Sequence, residues 1–259
     1  MVIPRALLLK TLQHRAQRLV GTAASLLRVA AKGKSPSSSR WLQRQMKDPL
    51  VLQASLDLYR SRAAYKLIEI DDKYHFLRPG VFVIDLGASP GSWSQVCTQR
   101  IRTCDISREE LESGVQGMVV SIDIQAMSEI PGVVVLPAGD ITEEKTQSLI
   151  VAFLKGRGAD VVLSDMAPNA CGISGLDHQR IMELGEGAFA LAKKVLKPNG
   201  VFVCKLWHGS RVNGFKSTLK SVFGRVEEVR PRATRKESSE MYLYASGFGV
   251  QSKPDISAV

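Results

Sequence analysis

Cysteine is scarce in this chain: four in 259 residues, at positions 97, 104, 171 and 204, with no C-x-x-C pair. That spacing offers neither a disulfide framework nor a four-thiolate zinc site, and it suits a reducing compartment. His75, His178 and His208 share no metal-like spacing either, so no metal is expected. Long uncharged runs are also missing. The longest, Leu86 to Gln99, contains Gly87, Pro90 and Gly91 and is shorter than the roughly 20 apolar residues of a membrane span. The most uneven absence is of acid. No Asp or Glu precedes Asp48, while residues 1–47 hold ten cations. The formal net charge of +10 therefore resides wholly in that segment, and the remaining 25 cations match the 25 acids.

Residues 1–40 are rich in Leu, Ala, Arg and Ser, with Leu8, Leu9, Leu12 and Leu19 at helical spacing and a low-complexity end, Lys32-Gly-Lys-Ser-Pro-Ser-Ser-Ser39. This is the composition of a mitochondrial transit peptide; the alternatives are a retained basic arm that touches RNA and a secretory signal. Residues 41–247 read as one domain, followed by a short tail, 248–259. With a hydrophobic fraction of 44%, the domain can bury a sizeable core. From Val81 onward short apolar runs alternate with helix-length amphipathic stretches, the pattern of βαβ units around a mostly parallel sheet. Strands are expected at 81–85, 118–122, 133–136, 160–164, 201–205, 226–229 and 241–245. Helices are expected at 61–76, 92–100, 143–155, 177–196 and 214–223, with Lys-Pro-Asn-Gly200 closing the long one. Residues 102–113 look like an insertion of unassigned role. Twelve cations fall between Lys193 and Lys236 against Glu227 and Glu228. Together with Arg60 and Arg62 they are either a phosphate-binding face or scattered solvated charges.

The string Val81-Phe-Val-Ile-Asp-Leu-Gly-Ala-Ser-Pro-Gly-Ser-Trp93 is an apolar strand, a tight glycine turn and a helix start whose free N–H groups face a ligand. It is not G-x-G-x-x-G, which argues against a dinucleotide pyrophosphate. Val119-Val-Ser-Ile-Asp123 places a carboxylate at a strand end, where it can accept ribose hydroxyls, and Asp140 in Ala138-Gly-Asp140 could reach an adenine amino group.

The D-x-G-x-x-x-G turn resembles motif I of S-adenosylmethionine-dependent methyltransferases. With Arg60-Ser-Arg-Ala-Ala-Tyr-Lys-Leu67, Ser164-Asp-Met-Ala-Pro-Asn169, Val201-Phe-Val-Cys-Lys205 and Ser238-Ser-Glu-Met-Tyr242, the chain resembles the FtsJ/RrmJ family of ribose 2′-O-methyltransferases over about residues 58–246. The resemblance implies a class I, Rossmann-like methyltransferase fold: a mostly parallel seven-stranded sheet, its last strand antiparallel, with helices on both faces. It implies S-adenosyl-L-methionine as cofactor, contacted at Gly87, Ser89, Pro90, Gly91, Trp93, Asp123, Asp140 and Asp165. It also implies a catalytic tetrad, Lys66, Asp165, Lys205 and Glu240. Ser89 and Ser92 stand where the family usually has alanine and glycine, a small change.

The chemistry explains those residue types. A ribose 2′-OH needs a base as it attacks the methyl, and a lysine serves only when burial or a neighbouring cation lowers its proton affinity. Lys205 is the expected base, Lys66 its tuning neighbour, and Asp165 and Glu240 the orienting carboxylates. Asp165-Met-Ala-Pro-Asn lacks the second proline and the aromatic residue of amino-group methyltransferases, which argues against base methylation. The expected substrate is a uridine ribose in mitochondrial large-subunit rRNA, in the matrix, on free rRNA or the assembling large subunit, with the enzyme a monomer. The rivals are an rRNA-binding assembly factor whose main role is not catalytic and a tRNA 2′-O-methyltransferase.

Overall fold

The computed structural model describes residues 45, 47–102 and 117–250. The expected transit peptide, most of the 102–113 insertion and the end of the tail lie outside them. The chain divides into two compact units, one ending at Arg62 and one beginning at Ala63. In the first, helix α1 (Pro49–Leu56) starts where the Asp48 side chain accepts the Leu50 N–H at 3.1 Å and Pro49 needs no partner for a missing N–H. Asp48 also pairs with Arg62.

The second unit holds α2 (Ala64–Tyr74), β1 (Phe82–Leu86), α3 (Ser92–Ile101), β2 (Met118–Ile122), β3 (Val133–Val135), α4 (Glu144–Leu154) and β4 (Ala159–Ser164). It continues with α5 (Ser174–Val195), β5 (Leu196–Trp207), α6 (Val212–Lys220), β6 (Phe223–Val229) and β7 (Glu240–Phe248). The seven strands form one sheet in the order β3-β2-β1-β4-β5-β7-β6. The pairings from β3 through β5 are parallel, and β7 runs antiparallel to both its neighbours. This is the class I methyltransferase architecture that the resemblance implied.

Strand alternation sorts the core into two layers. Phe82, Ile84 and Leu86 of β1 join Val162, Phe202 and Leu243 under Ile150, Met182, Phe189 and Phe215 of α4 to α6. The opposite face lies under α2 and α3. On α2 the buried face is Ala64, Leu67, Ile70 and Asp71, because Asp71 accepts the Phe76 and Leu77 N–H groups as the chain leaves the helix.

Two boundaries differ from expectation. Lys197 to Gly200 do not close α5; they belong to β5, whose Leu196 pairs with Ala159 and whose register shifts before Val201 meets Val161. Asn199, at φ 65°, lies in this irregular stretch, so the turn chemistry read from the sequence is spent within β5. Phe223 opens β6 instead of ending a helix, because its ring is buried against Phe202 and Phe248.

The C-terminal ends of β1, β2, β4 and β5 share one edge of the sheet. Antiparallel β7 brings its own first residue there: Lys205 lies opposite Tyr242, and Trp207 opposite Glu240.

Candidate active site

The glycine turn leaves β1 with Gly87 at φ 71° and Gly91 at φ 109°, conformations that favour glycine, and the Ser89–Pro90 peptide is cis. Gly87 and Ala88 donate to the Ile122 carbonyl at 2.9 and 3.2 Å, which ties the turn to the end of β2. The Asp123 carboxylate accepts the Ser89 N–H at 2.9 Å and the Gln125 N–H at 2.8 Å, leaving one lone pair on each oxygen. Asp140 caps its own loop, with Oδ1 accepting from the N–H and hydroxyl of Thr142, so Oδ2 is its outward-facing oxygen.

Beneath the turn lies the acid that opens the D-x-G-x-x-x-G string. Asp85 is fully buried; its Oδ2 accepts from Ser94 at 2.6 Å, Ser94 meets Ser121 at 2.8 Å, and Oδ1 has no hydrogen-bond partner among the described residues. Burial, reinforced by the negative charges of Asp165 and Asp123, pushes the Asp85 carboxyl up to about 7. The folded chain therefore holds this proton more tightly than the unfolded one. Stability falls as pH rises from the ordinary carboxylate range to about 7 and levels off above it, by up to about 4 kcal/mol. Asp85→Asn should raise the melting temperature more at pH 8 than at pH 5; an equal shift at both pH values would contradict the assignment.

The four residues of the expected tetrad come together as a continuous chain of contacts. Lys205, 7% exposed, donates to the Asp165 carboxylate at 3.0 Å and to the Asp165 carbonyl. Lys66 reaches Glu240 from α2 at 2.6 and 2.8 Å. Between the two carboxylates stands the Tyr242 hydroxyl, 2.8 Å from Asp165 Oδ1 and 3.2 Å from Glu240 Oε1. It has one proton for two acceptors. Burial and those carboxylates raise the phenol well above its ordinary value, so it stays protonated. Tyr242 was missed as a functional residue although it closes a quoted motif; its signal is the i, i+2 spacing from Glu240 on a strand, which puts both side chains on one face.

Two expectations gain detail. Lys66 is expected as the neighbour that tunes Lys205, and each ammonium also has its own carboxylate, Glu240 for Lys66 and Asp165 for Lys205. Trp93 is expected at the cofactor. Its indole is 2% exposed, packs 5.6 Å from the Tyr242 ring and donates to the Ala63 carbonyl at 2.9 Å. Only its backbone N–H, in the first turn of α3, is left for a ligand. The indole instead ties the glycine turn to the start of the helix that carries Lys66.

The basic stretch is also largely spent. Lys197 pairs with Asp160, Arg211 with Glu186, Lys216 with Glu228 and Arg225 with Glu227, and Lys194 donates to Gln147. Arg62 pairs with Asp48. Arg232 and Lys236, in the loop before Glu240, are exposed with no carboxylate partner among the described residues.

The model of the FtsJ-like methyltransferase family matches residues 59–248, a span that contains every motif of the site. The chain belongs to this family. Among its relatives is the ribosomal RNA large subunit methyltransferase E of Rhodopseudomonas palustris strain HaA2, 46% identical over 212 residues, covering 82% of this chain and 86% of the relative. The protein of the same name from Rickettsia bellii is 42% identical over 215 residues, covering 83% and 91%. A solved ribosomal RNA methyltransferase from Plasmodium falciparum superposes with a TM-score of 0.62 at 30% identity, covering 74% of this chain and 99% of that one. In this FtsJ-like methyltransferase the Gly87 turn and the uncommitted lone pairs of Asp123 and Asp140 fit a nucleoside cofactor.

Proposed function

We propose that this chain methylates the 2′-hydroxyl of a ribose, a uridine, in mitochondrial large-subunit rRNA, with S-adenosyl-L-methionine as donor. The alternation Lys205, Asp165, Tyr242, Glu240, Lys66 beside the glycine turn carries the reading, and relatives named for large-subunit rRNA methylation support the substrate. Mitochondrial import is supported by residues 1–47, ten cations without an acid. The donor supplies a methyl group on a cationic sulfur.

Gly87, Ser89, Pro90 and Gly91 would hold its methionine part, Asp123 its ribose hydroxyls and Asp140 its adenine amino group. Lys205 Nζ, as the neutral amine once its own proton has passed to solvent, takes the 2′-OH proton while the ribose oxygen bonds the methyl and the sulfur departs as a neutral thioether. Asp165 keeps that amine aimed, and the Tyr242 hydroxyl, within reach of both Asp165 and Glu240, holds the two carboxylates in place relative to each other. Glu240 holds Lys66 ready for the ribose-phosphate. Arg232 and Lys236 contact the RNA backbone.

Ribose-methylation mapping of organellar and cytosolic rRNA in a cell lacking the protein tests the reading. One 2′-O-methyl should vanish from mitochondrial large-subunit rRNA and return with the wild-type chain. An intact rRNA profile, a lost base methyl or a change in tRNA alone would overturn it. Rescue of ribosome assembly by a chain that transfers no methyl would favour the assembly-factor role.

A further inference from the structure

The Glu240 carboxylate is useful only if it is held, and the strand ladder does not hold it against α2. Glu240 is the first residue of β7, it follows a nine-residue loop, Pro231–Ser239, and its partner Lys66 comes from a helix 174 positions earlier. A guanidinium fills the inside of that loop. Arg230 Nη1 donates to the Glu240 carbonyl at 2.9 Å, while Nη2 donates to the carbonyls of Ser238 at 2.7 Å and Arg235 at 3.1 Å, with Lys236 at 3.4 Å. A planar fork with five donors can satisfy several carbonyls at once, which an ammonium cannot match.

The other end of the loop is tied to the helix of Lys66. Glu69, three residues after Lys66 and so on the same face of α2, accepts the N–H groups of Arg232 at 2.6 Å and Ala233 at 2.8 Å. Ser238 Oγ accepts the Glu240 N–H at 3.2 Å, and Thr234 donates to Glu240 Oε1 at 3.4 Å. Both the backbone and the carboxylate of Glu240 are thus gripped from within the loop.

We propose that Arg230 is a positioning residue of the methyl-transfer reaction, fixing Glu240, and through Glu240 the Lys66 ammonium, by binding the carbonyls of residues 235–240. The proposal rests on the methyltransferase reading above. Arg230 acts on the chemical step through Glu240; its hold on the loop that carries Arg232 and Lys236 affects RNA binding, which is read in KM and not in kcat.

The experiment uses the full chain with labelled S-adenosylmethionine and large-subunit rRNA. Arg230→Ala should lower kcat by about tenfold or more, with the calorimetric Kd for the cofactor within about twofold of wild type, and Arg230→Lys should recover part of the loss. The double variant Arg230→Ala/Glu240→Gln should be no slower than Glu240→Gln within about twofold, because both remove the same alignment. Hydrogen exchange of the unliganded chain supplies a readout free of activity: amides 236–241 should lose about tenfold or more of their protection in Arg230→Ala, with the strands β1 and β4 unchanged. Unchanged exchange at 236–241, losses that multiply in the double variant, or a cofactor affinity that falls as far as kcat would each overturn the proposal. A wild-type chain that transfers no methyl to rRNA would instead remove the proposed function, whatever the exchange pattern shows.

Discussion

Lys205→Ala is expected to lower kcat for methyl transfer by about 10²–10⁴-fold, the usual worth of a positioned general base. The cofactor Kd should change by less than about threefold. The side chain contacts Asp165 and not the turn Gly87–Gly91, so removing it leaves that turn as it was. The informative companion is Lys205→Arg. A guanidinium keeps the positive charge and can still bond Asp165, but it does not give up its proton in proteins. If Lys205 accepts the 2′-OH proton, arginine should be as inactive as alanine. Single-turnover transfer of labelled methyl to large-subunit rRNA measures both. Activity within about tenfold of wild type in Lys205→Arg would mean that position 205 supplies charge only and that the base is elsewhere.

The second large effect is expected at Gly87. A Cβ there would sit 2.4 Å from Met166 Cγ and 2.9 Å from both the Met166 Cα and its amide nitrogen. The methionine side chain can swing away, but the backbone cannot, since Asp165 N donates to the Leu86 carbonyl at 3.2 Å and Asp165 itself holds Lys205. At φ 71° alanine adds backbone strain of roughly 1–2 kcal/mol. Overpacking against Met166 adds about 1–3 kcal/mol. Gly87→Ala should therefore weaken cofactor binding by roughly 30-fold or more and lower the melting temperature, as calorimetry would show. Gly175→Ala is the control: it lies in the first turn of α5 with no heavy atom within 4 Å of the added Cβ, and it should leave both quantities unchanged. Equal losses in the two variants would point to a general intolerance of added bulk and against a close approach specific to the turn.

The parallel strands were legible because they are buried on both faces and so read as continuous apolar runs, Val81 to Asp85 and Asp160 to Ser164 among them. Two of their ends were legible too, since an acid directly follows the run, as at Asp123 and Asp165, whereas β5 continues past Lys205 to Trp207. The errors have one origin: a residue's local preference was overruled by what it packs against. Asn199 and Gly200 have turn chemistry, yet the pairing of Leu196 with Ala159 draws them into an irregular stretch of β5. The basic stretch left two readings open for a related reason. A run of cations shows its own excess but not the distant carboxylates that neutralise it, such as Asp160 for Lys197 and Glu186 for Arg211.

By itself the amino-acid sequence determined the chemical inventory: which residue types are available, that the charge excess resides in the first 47 positions, and that strands, turns and acids recur in the order of a nucleoside-binding sheet. Those properties follow from composition and short-range periodicity, and each can be read within a window of a few residues. The tertiary structure alone decided which groups touch. Lys66 and Glu240 are neighbours because β7 runs antiparallel and delivers its first residue to the edge where the parallel strands end. Tyr242 stands between two carboxylates because Lys205 lies opposite it in the same ladder. Asp85 carries a proton near neutral pH because α3 and β2 close over it and leave one oxygen without a partner. Proton affinity and alignment depend on the distance between charges and on the exclusion of water, and both arise only when segments far apart in the chain are packed together.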